Sequence, residues 1–560
     1  MDFIQDIIRA FNNFVTTFIV PEWLLIYTLL GTGLFLTIRL GLIQIRRLKH
    51  GFEVATGRYD DPNEPGDVSH FQALTTALSA TVGVGNIAGV ALAIHLGGPG
   101  ALFWMWMTAL LGMAVKFSEV TLALQYRTVN KDPNAPAWEG TVAGGPMYSI
   151  ERGLGKKWKP LAMLFAGGLM CTSFLTGNAV QANTLTDAVT SQFPIPKVVV
   201  ALVICALVAL VIFGGIKRIG RVTSILAPVM GIIYFLGAVA ILLMRFTDVP
   251  EAFLTIFREA FNPTSGAVGV GAGIFATALV GVKRGLFSNE AGQGSAPIAH
   301  SAAQTDEPVS EGVVALLEPF IDTIIICTLT GLVIVTTGAW IHKTNAQLSL
   351  SSGDAGYRRY TEQKVLEKLP APDKLEIVDG VVQNDQGIWF GWHDVPVEKL
   401  FVDQAQNQPF TGTIFPDRRV AVGADGTEYS SLWGNVVENG APLTISAFQS
   451  VLGPIGKWIV LLCVALFALS TAISWSYYGD RCAYYLFGKA GILPFKVVYI
   501  CFHFLGAMVS LSAIWDLGDV ALSIVTIPNL LALILLSGTV VKLTNSYFER
   551  KPWVGNRPGS

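Results

Sequence analysis

The stretch Phe71–Gly98, FQALTTALSATVGVGNIAGVALAIHLGG, decides how the chain folds. It is apolar, and it is longer than the roughly 20 residues that a helix needs to cross a bilayer. Its middle, the sequence TVGVGN of residues 81–86, suits a helix poorly, because each interior glycine costs a helix about 1 kcal/mol relative to alanine. A break at membrane depth exposes backbone N–H and C=O groups, so it persists only where protein or a polar cavity surrounds it. The sequence therefore predicts a broken membrane helix.

A break of this kind can bind ligands, because half-helix N–H groups attract an anion and unwound carbonyls coordinate a cation. The alternative is that the glycines of this stretch form a small-residue packing face. Asn86 and the hydroxyls of Ser79 and Thr81 cluster at the same place, which favours binding. A dinucleotide loop is excluded, since that motif follows a strand in a soluble βαβ unit.

The composition is that of a protein with many membrane spans. Of the 560 residues, 52% are hydrophobic and 14% are charged, whereas soluble domains carry about 25% charged residues. The net charge of −2 gives no indication of a nucleic-acid partner. Residues 1–20 place their apolar side chains on one helical face, which predicts an amphipathic helix lying at the membrane surface.

Apolar runs of about 20 residues predict eleven spans. They lie near residues 22–42, 71–95, 99–124, 159–187, 196–216, 222–246, 266–296, 311–338, 446–480, 492–514 and 517–541. Basic residues follow the odd-numbered spans, as Arg46 and Arg47 follow the first. Because cytoplasmic loops are rich in Lys and Arg, we expect the N-terminus outside and the C-terminus in the cytoplasm.

Residues 340–445 form a polar insertion between the eighth and ninth predicted spans. The turn signals Val378-Asp-Gly-Val381 and Ala424-Asp-Gly-Thr427 lie between β-branched runs, which predicts a small extracytoplasmic domain of β hairpins. Its role is not readable from the sequence: a lid, a partner site and a passive decoration all fit.

A second interrupted span is predicted at residues 266–296, where glycines 269, 271, 273 and 281 recur among polar residues. Two interrupted spans in corresponding positions of two halves are typical of inverted-repeat transporters. The interpretation assigns residues 51–262 to one repeat of five spans, and residues 263–339 with 446–545 to the other. Residues 21–50 are then an additional N-terminal span.

Three motifs resemble one known family. The segment FQALTTALSATVGVGNIAGVALAIHLGGPGALFWMWMTALLGMAVKFSE, the later KRGLFSNEAGQGSAPIAHSAA and the GGPMYSIERGLG of residues 144–155 are similar to signatures of the alanine-or-glycine:cation symporters, the sodium:alanine symporters. The resemblance implies an all-α membrane protein with the leucine-transporter fold: two inverted repeats of five helices, plus one extra N-terminal span. It covers the chain except the insertion of residues 340–445, which departs from compact members.

The resemblance carries functional residues onto this sequence. It implies that the substrate carboxylate binds main-chain N–H groups at the Gly83–Asn86 turn and that Trp475 limits the size of the substrate's side chain. Amides within a span are costly unless paired, so Gln181 is the candidate to contact the substrate's polar end, with an interhelical hydrogen bond as the alternative. The full set of implied substrate-binding residues is Thr81, Gly83, Gly85, Asn86, Phe174, Gln181, Gly281, Thr471 and Trp475. A pocket so narrowed fits alanine, glycine or serine.

The resemblance also implies sodium as the coupling ion. Its ligands would be the hydroxyls of Ser470 and Thr471 and the carbonyls of Ser79 and Val82. Asn86 and Thr277 match positions of a second sodium site. The alternative for Ser470 and Thr471 is a hydrogen bond to the carbonyl four residues earlier in their own helix.

Four ionisable residues lie within predicted spans, where such groups mark function by default. Lys116 and Glu119 are spaced i, i+3 and are predicted to neutralise each other as a structural pair. Glu318 and Asp322 have no local partner. They are predicted either to meet the basic pair at residues 283–284 as a gate or to carry protons.

The sequence thus predicts an integral protein of the plasma membrane, the inner membrane in a bacterium. We expect it to import a small neutral amino acid with sodium by alternating access, not to catalyse a covalent reaction. No Walker motif GxxxxGK[ST] is present, which argues against ATP. Proton coupling is the first alternative. A sensor that uses the outer insertion is the second.

Overall fold

The computed structural model describes residues 21–61, 63–129, 142–190, 193, 195–263, 273–350, 355–360, 366–383, 387–393, 395–508 and 511–554. These ranges include all of the predicted spans except residues 266–272 and 509–510. The amphipathic helix predicted over residues 1–20 lies outside the described residues, as do Gly269 and Gly271.

The helices dominate the architecture. In chain order they are α1 (Glu22–Arg39), α2 (Ile43–Arg46), α3 (Leu48–Ala55), α4 (His70–Thr81), α5 (Val90–Gly97), α6 (Gly100–Gln125), α7 (Pro146–Tyr148), α8 (Lys159–Phe174), α9 (Val180–Thr190), α10 (Lys197–Ile212), α11 (Gly215–Met244), α12 (Val249–Phe261), α13 (Ile274–Asn289), α14 (Ala296–His300), α15 (Pro308–Ala315), α16 (Leu317–Pro319), α17 (Thr328–Thr337), α18 (Gly440–Leu452), α19 (Pro454–Phe487), α20 (Ile492–Met508) and α21 (Leu511–Arg550). Wider π-helical turns span Gly85–Gly89, Ser149–Gly153, Leu175–Ala179 and Phe320–Cys327, and 3-10 turns span Lys156–Trp158, Gly488–Gly491 and Pro552–Val554.

Helices overlap all eleven predicted spans. Within the described part of the chain, six helices are long and apolar enough to cross a membrane, or seven if the bent pair around residues 82–84 is one span. Two shorter apolar helices, Trp23–Arg39 and Lys197–Ile212, add to these. The protein is therefore an integral membrane protein, and the count of eleven crossings stays a prediction.

The predicted break after Thr81 is confirmed. Helix α4 begins with a capping box, in which the Ser69 side chain accepts from the Gln72 N–H and the Gln72 side chain accepts in return from the Ser69 N–H. It ends at Thr81, and the chain continues through the π-helical turn Gly85–Gly89 into α5. The two half-helices are bent by 49°.

The second break lies further along the chain than predicted. Helix α13 runs without interruption to Asn289, and the chain then turns at Glu290, Gly292 and Gly294, all with positive φ, before α14 begins. Gly281 lies inside α13, where a Cβ would lie 2.4 Å from the Ala101 carbonyl oxygen of α6. Close helix packing, not a break, explains this glycine.

The ninth predicted span begins later than expected. Residues 440–452 form the separate helix α18, and Gly453 (φ 62°) then turns the chain before Pro454 starts α19. A left-handed glycine followed by proline at the first helical position ends one helix and starts another. Helix α19 is accordingly the long element that carries Ser470, Thr471 and Trp475.

The strands fall almost wholly between α17 and α18. They are β1 (Thr128–Val129), β2 (Val142–Ala143), β3 (Thr344–Ser349), β4 (Ala355–Tyr360), β5 (Leu366–Leu369), β6 (Leu375–Val378), β7 (Val381–Gln383), β8 (Ile388–Trp392), β9 (Val395–Pro396), β10 (Leu400–Phe401), β11 (Gly412–Phe415), β12 (Val420–Gly423), β13 (Glu428–Tyr429) and β14 (Ser431–Val436). The sheets have strand orders β1-β2, β10-β14-β3, β13-β12-β11-β6-β7 and β5-β4-β8-β9, and all pairs are antiparallel.

The strands between α17 and α18 have an apolar core of their own. Leu375, Phe390, Phe410 and Leu432 are among its buried members. The Asp379-Gly380 turn joins β6 to β7, with Val378 paired to Val381, because both turn residues adopt the positive φ that a two-residue hairpin needs. The insertion therefore folds around side chains that the membrane helices do not supply.

The close approach of α6 and α13 generates a stability prediction. Gly281→Ala is expected to destabilise the protein by about 1–3 kcal/mol, because the added methyl overlaps the Ala101 carbonyl. Gly231→Ala in α11 is the matched control, since no described atom lies within 4 Å of its Cβ. Thermal unfolding in detergent measures both variants, and equal stabilities would contradict this packing.

Candidate functional site

The Asn86 side chain forms a hydrogen bond within the break between α4 and α5. The Gly83 N–H donates to Asn86 Oδ1 at 2.9 Å, which satisfies one backbone donor that the break exposes. The Asn86 amide nitrogen in turn donates to Ser288 Oγ at 3.0 Å and to Asp322 Oδ1 at 2.5 Å. One buried asparagine thus joins the first break to α13 and to the π-helical turn Phe320–Cys327.

Asp322 is the acceptor at the centre of this cluster. Besides Asn86, it accepts hydrogen bonds from Ser288 and Thr323, each at 2.7 Å. All four side chains are buried. These partners of Asp322 do not include the basic pair at residues 283–284, and the gate between them stays a prediction. Sequence reasoning missed Ser288, because its place two residues before the second break is a signal only once the position of that break is known.

The hydroxyls of Ser470 and Thr471 converge on α4. Thr471 Oγ1 donates to the Ser79 carbonyl oxygen at 3.0 Å, and Ser470 Oγ lies 3.4 Å from the same oxygen. Ser470 also donates to the Phe467 carbonyl of its own helix at 3.0 Å. The structure brings three of the four predicted sodium ligands together, and Val82 follows at the end of α4. Thr471 points across to α4, away from its own helix backbone.

Space at this point is tight. A Cβ built on Gly83 would lie 2.6 Å from Thr471 Oγ1, and one built on Gly85 would lie 3.0 Å from the Phe287 ring. Thr81 donates back to the Ala77 carbonyl at 3.2 Å. Glycine at 83 is thus needed for α19 to approach the break.

The proposed second sodium pair is not brought together. Thr277 and Ser288 are eleven residues apart in the regular helix α13, which separates them by about 16 Å along its axis. Asn86 contacts Ser288, so Asn86 and Thr277 cannot share an ion in this arrangement. The reason is the position of the second break, which brings the end of α13 to Asn86.

Trp475 lies where α19 meets the second break. Its indole N–H donates to Glu290 Oε1 at 3.0 Å, and Ser295 donates to the other oxygen of the same carboxylate. A Cβ on Gly177 would lie 2.2 Å from the indole ring. The indole is thereby held in one orientation. Glu290 is a further residue that sequence reasoning did not select.

The remaining predicted residues have other partners. Phe174 packs against rings of α20, with centroids 5.0 Å from those of both Phe495 and Phe502. Gln181 Nε2 donates to the Thr176 carbonyl at 3.2 Å, while its Oε1 has no hydrogen-bond partner among the described residues. Gln181 therefore keeps one acceptor for a ligand.

Comparison with known proteins decides the family. The model of the sodium:alanine symporter family matches residues 1–355 and 427–557. The chain belongs to the sodium:alanine symporter family. The segment 356–426 that the match leaves out lies in the strand-rich insertion.

Relatives agree with this assignment, and a solved structure shares the fold. The symporter is 37% identical over 551 residues to the sodium/alanine symporter AgcS of Methanococcus maripaludis, covering 98% of each chain. It is 31% identical over 530 residues to the putative sodium/proton-dependent alanine carrier protein YrbD of Bacillus subtilis, covering 94% of this chain and 90% of the relative. It shares its fold with MhsT, solved in complex with L-phenylalanine, at a TM-score of 0.50 and 14% identity over 85% of this chain and 90% of the other.

Two further predictions about buried charges in the symporter concern Lys116 and Glu318. Lys116 pairs with Glu318 Oε2 at 3.2 Å, whereas Glu119 Oε1 accepts from Asn529 Nδ2 at 2.5 Å. The charges of Lys116 and Glu119 attract each other as expected, but the salt bridge of Lys116 is with Glu318, a partner that the i, i+3 pattern cannot reveal. Glu318 also contacts His300 at 2.8 Å, so Lys116 and His300 engage its two carboxylate oxygens, and the gate with residues 283–284 stays a prediction.

The strand-rich insertion leads directly to the break. Helix α18 follows β14, and its Thr444 hydroxyl donates to the Ile87 carbonyl of the π-helical turn at 3.1 Å. Separately, His95 Nε2 of α5 lies 2.7 Å from the backbone oxygen of His393, at the end of β8. The symporter thus has polar contacts between the strand-rich region and the second half of its broken helix.

A double-mutant cycle tests the polar cluster. Asn86→Ala and Asp322→Ala are expected to couple by about 0.5–3 kcal/mol, because each removes the other's partner. Unfolding in detergent measures the free energies. Asn86→Ala combined with Asn529→Ala is the control, since Asn529 bonds Glu119 and Gly292 instead. Equal coupling in both cycles would show that Asn86 and Asp322 do not depend on each other.

Proposed function

We propose that the chain is a sodium-coupled symporter that imports a small neutral amino acid: alanine, glycine or serine. The observation that carries this proposal is the convergence of Ser470 and Thr471 on the Ser79 carbonyl beside the break. Four oxygens, two from hydroxyls and two from backbone carbonyls, suit a small hard cation. They come from α4 and α19, so an ion between them would fix the distance between the two helices.

The substrate would bind at the break itself. Half-helix starts carry partial positive charge on their N–H groups, which suits a carboxylate near Gly83, Gly85 and Asn86. Trp475, held over Gly177 by Glu290, would form the wall that limits side-chain size. One extra methylene group on the substrate's side chain changes the free-energy difference between two competing substrates by only about 1–3 kcal/mol. Somewhat larger amino acids are therefore expected to act as weak substrates or inhibitors.

The architecture supports alternating access. We assign residues 51–262 to the first inverted repeat, and residues 263–339 with 446–545 to the second. The breaks after Thr81 and after Asn289 support this, because each repeat then opens with a broken helix. The basic residues after odd-numbered predicted spans support a C-terminus in the cytoplasm and an N-terminus outside.

Proton coupling is the second candidate. Asp322 is a buried carboxylate bonded to Asn86 of the broken helix, and a proton could neutralise it in place of a cation. The name of the relative YrbD, a putative sodium/proton-dependent alanine carrier, agrees with this alternative. A sodium gradient at equal pH, compared with a pH gradient without sodium, separates the two.

Uptake of labelled alanine into proteoliposomes tests the proposal. We expect concentrative uptake with an inward Na⁺ gradient and none with K⁺ at equal pH. Thr471→Ala is expected to lower uptake at least tenfold, because it removes one ligand. Ser476→Ala is the matched control on the same helix, since its hydroxyl bonds the Ile473 carbonyl of that helix at 2.6 Å. An equal loss of alanine uptake in both variants would contradict the assignment of Thr471 to the ion site.

Alanine substitutions of two glycines at the break provide a second test of the proposed ion site. Gly83→Ala places a methyl 2.6 Å from Thr471 Oγ1, whereas no described atom lies within 4 Å of a Cβ on Gly89. We expect Na⁺ to raise the melting temperature of the wild type and of Gly89→Ala, because binding to the folded state stabilises it. Gly83→Ala should lose this shift. A full shift in Gly83→Ala would place the ion elsewhere.

A further inference from the structure

His300 lies between two buried carboxylates. Its Nδ1 is 2.5 Å from Glu311 Oε1, and its Nε2 is 2.8 Å from Glu318 Oε1. All three side chains have an exposed fraction of 0%. Neutral imidazole has one N–H and one lone pair, so it can donate to only one of two carboxylates. This geometry therefore requires one more proton than a neutral histidine and two ionised carboxylates supply.

The contacts continue in both directions from His300. Glu318 Oε2 pairs with Lys116 of α6 at 3.2 Å. Glu311 Oε2 contacts Nδ1 of His70, whose Nε2 lies 3.9 Å from Asp60. The side chain of Asp60 is 36% exposed, whereas the other members are buried. We call this series, from Lys116 to Asp60, the His–Glu chain; it runs from the protein interior to the surface.

The charges of the buried members agree with the geometry. With His70 neutral and its N–H donated to Glu311, Glu311 and Glu318 carry two negative charges against one positive charge on Lys116, so a single proton on His300 balances them. The other ionisable groups that interact with these side chains are Glu64, Glu119, Arg127, Glu290, Asp322 and Tyr478. Glu119 and Glu290 lie on the Lys116 side and favour retention of the proton. Among the described residues, no group of three or more His, Cys, Asp or Glu side chains could hold a metal ion.

The His–Glu chain connects the start of α4 to α14 and α15. These elements must separate for the face predicted to be cytoplasmic to open. His70 is the first residue of α4, the half-helix that ends at the proposed ion site. The residues before it are joined to those after α14, because Gln304 N–H donates to the Val68 carbonyl at 2.8 Å. Arg127 binds the carbonyls of Ser301 and Ala303 at 2.9 and 2.8 Å. Movement of the start of α4 away from α14 and α15 would break the His70–Glu311 contact.

We propose that His300, between Glu311 and Glu318, is a proton-binding site whose protonated form holds the start of α4 against α14 and α15 and keeps the face predicted to be cytoplasmic closed. Loss of the proton leaves a lone pair of the His300 ring facing a carboxylate oxygen. The His300–Glu311 contact then becomes repulsive, and Glu311 is the residue that contacts His70 at the start of α4. Higher pH on this face therefore favours opening, and lower pH favours closure. The inference rests on the proposed function only in one respect: α4 moves during transport.

Labelling of a buried cysteine tests the site without substrate. Ala303 is fully buried beside the His–Glu chain, so Ala303→Cys reacts with a maleimide only when this side opens. The exposed Cys171 and Cys501 are first replaced by alanine. Labelling rates are compared from pH 5.5 to 8.5 with His300 intact and with His300→Gln. Thiol ionisation affects both proteins equally, so the ratio of the two rates reports the gate.

At low pH we expect the His300→Gln protein to be labelled faster than the protein with His300 intact. The ratio of the two labelling rates should fall toward one as the pH rises, by up to about tenfold per pH unit, the limit for one proton. His50→Gln is the matched control, because His50 is also buried and faces a carboxylate, Glu53 at 3.7 Å, outside the His–Glu chain. Its ratio should equal one throughout. A ratio for His300→Gln that does not change with pH would overturn the proposal.

A second variant covers the case in which His300→Gln does not fold. Glu311→Gln replaces one of the two carboxylates by an amide that can donate to the lone pair of a neutral imidazole, so labelling should lose its dependence on the protonation of His300. An unchanged dependence on pH in Glu311→Gln contradicts the proposal. Labelling that follows these expectations while alanine uptake fails would retain the proton site and reject only the proposed substrate.

Discussion

The structure depends on one constraint: a helix broken at membrane depth must satisfy the backbone groups that the break exposes. Three different elements contribute. The Asn86 side chain accepts from the Gly83 N–H, the hydroxyls of α19 donate to the Ser79 carbonyl, and Thr444 of α18 donates to the Ile87 carbonyl. Each contact comes from a separate part of the chain, so the break organises the packing around it. Those same groups are the ones that a cation and a carboxylate would use.

The constraint extends from backbone groups to charges. Buried polar side chains must be paired in a medium of low polarity. Asn86 is held by Asp322, Trp475 by Glu290, and Lys116 by Glu318. The two breaks are thereby linked through side chains to α6, α19 and the π-helical turn Phe320–Cys327. A change in the charge of Asp322, Glu290, Lys116 or Glu318 alters the fit of a helix that faces the site, and under the proposed function this is how an ion would be coupled to a conformation.

The sequence predicted the first break, the helices that overlap all eleven expected spans and the family, because glycine clusters and long apolar runs are local signals. It also placed Ser470 and Thr471 against α4, through the resemblance. It did not predict the second break at residues 290–295, since glycine spacing does not distinguish a break from close packing such as that of Gly281 against Ala101. The partners of Lys116, Glu318 and Asp322 come from segments distant in sequence, and no spacing rule reveals them. Ser288 and Glu290 were missed for the same reason.

Titration calorimetry of alanine binding in detergent, at a series of Na⁺ concentrations with K⁺ as replacement, measures whether ion and substrate share the break. If the ion holds α4 against α19 and the substrate binds the same break, each ligand must raise the affinity of the other by the same factor. We expect alanine affinity to rise with Na⁺ and not with K⁺, and alanine to raise Na⁺ affinity equally. Alanine affinity that does not depend on Na⁺ would show that the two ligands do not meet at the broken helix.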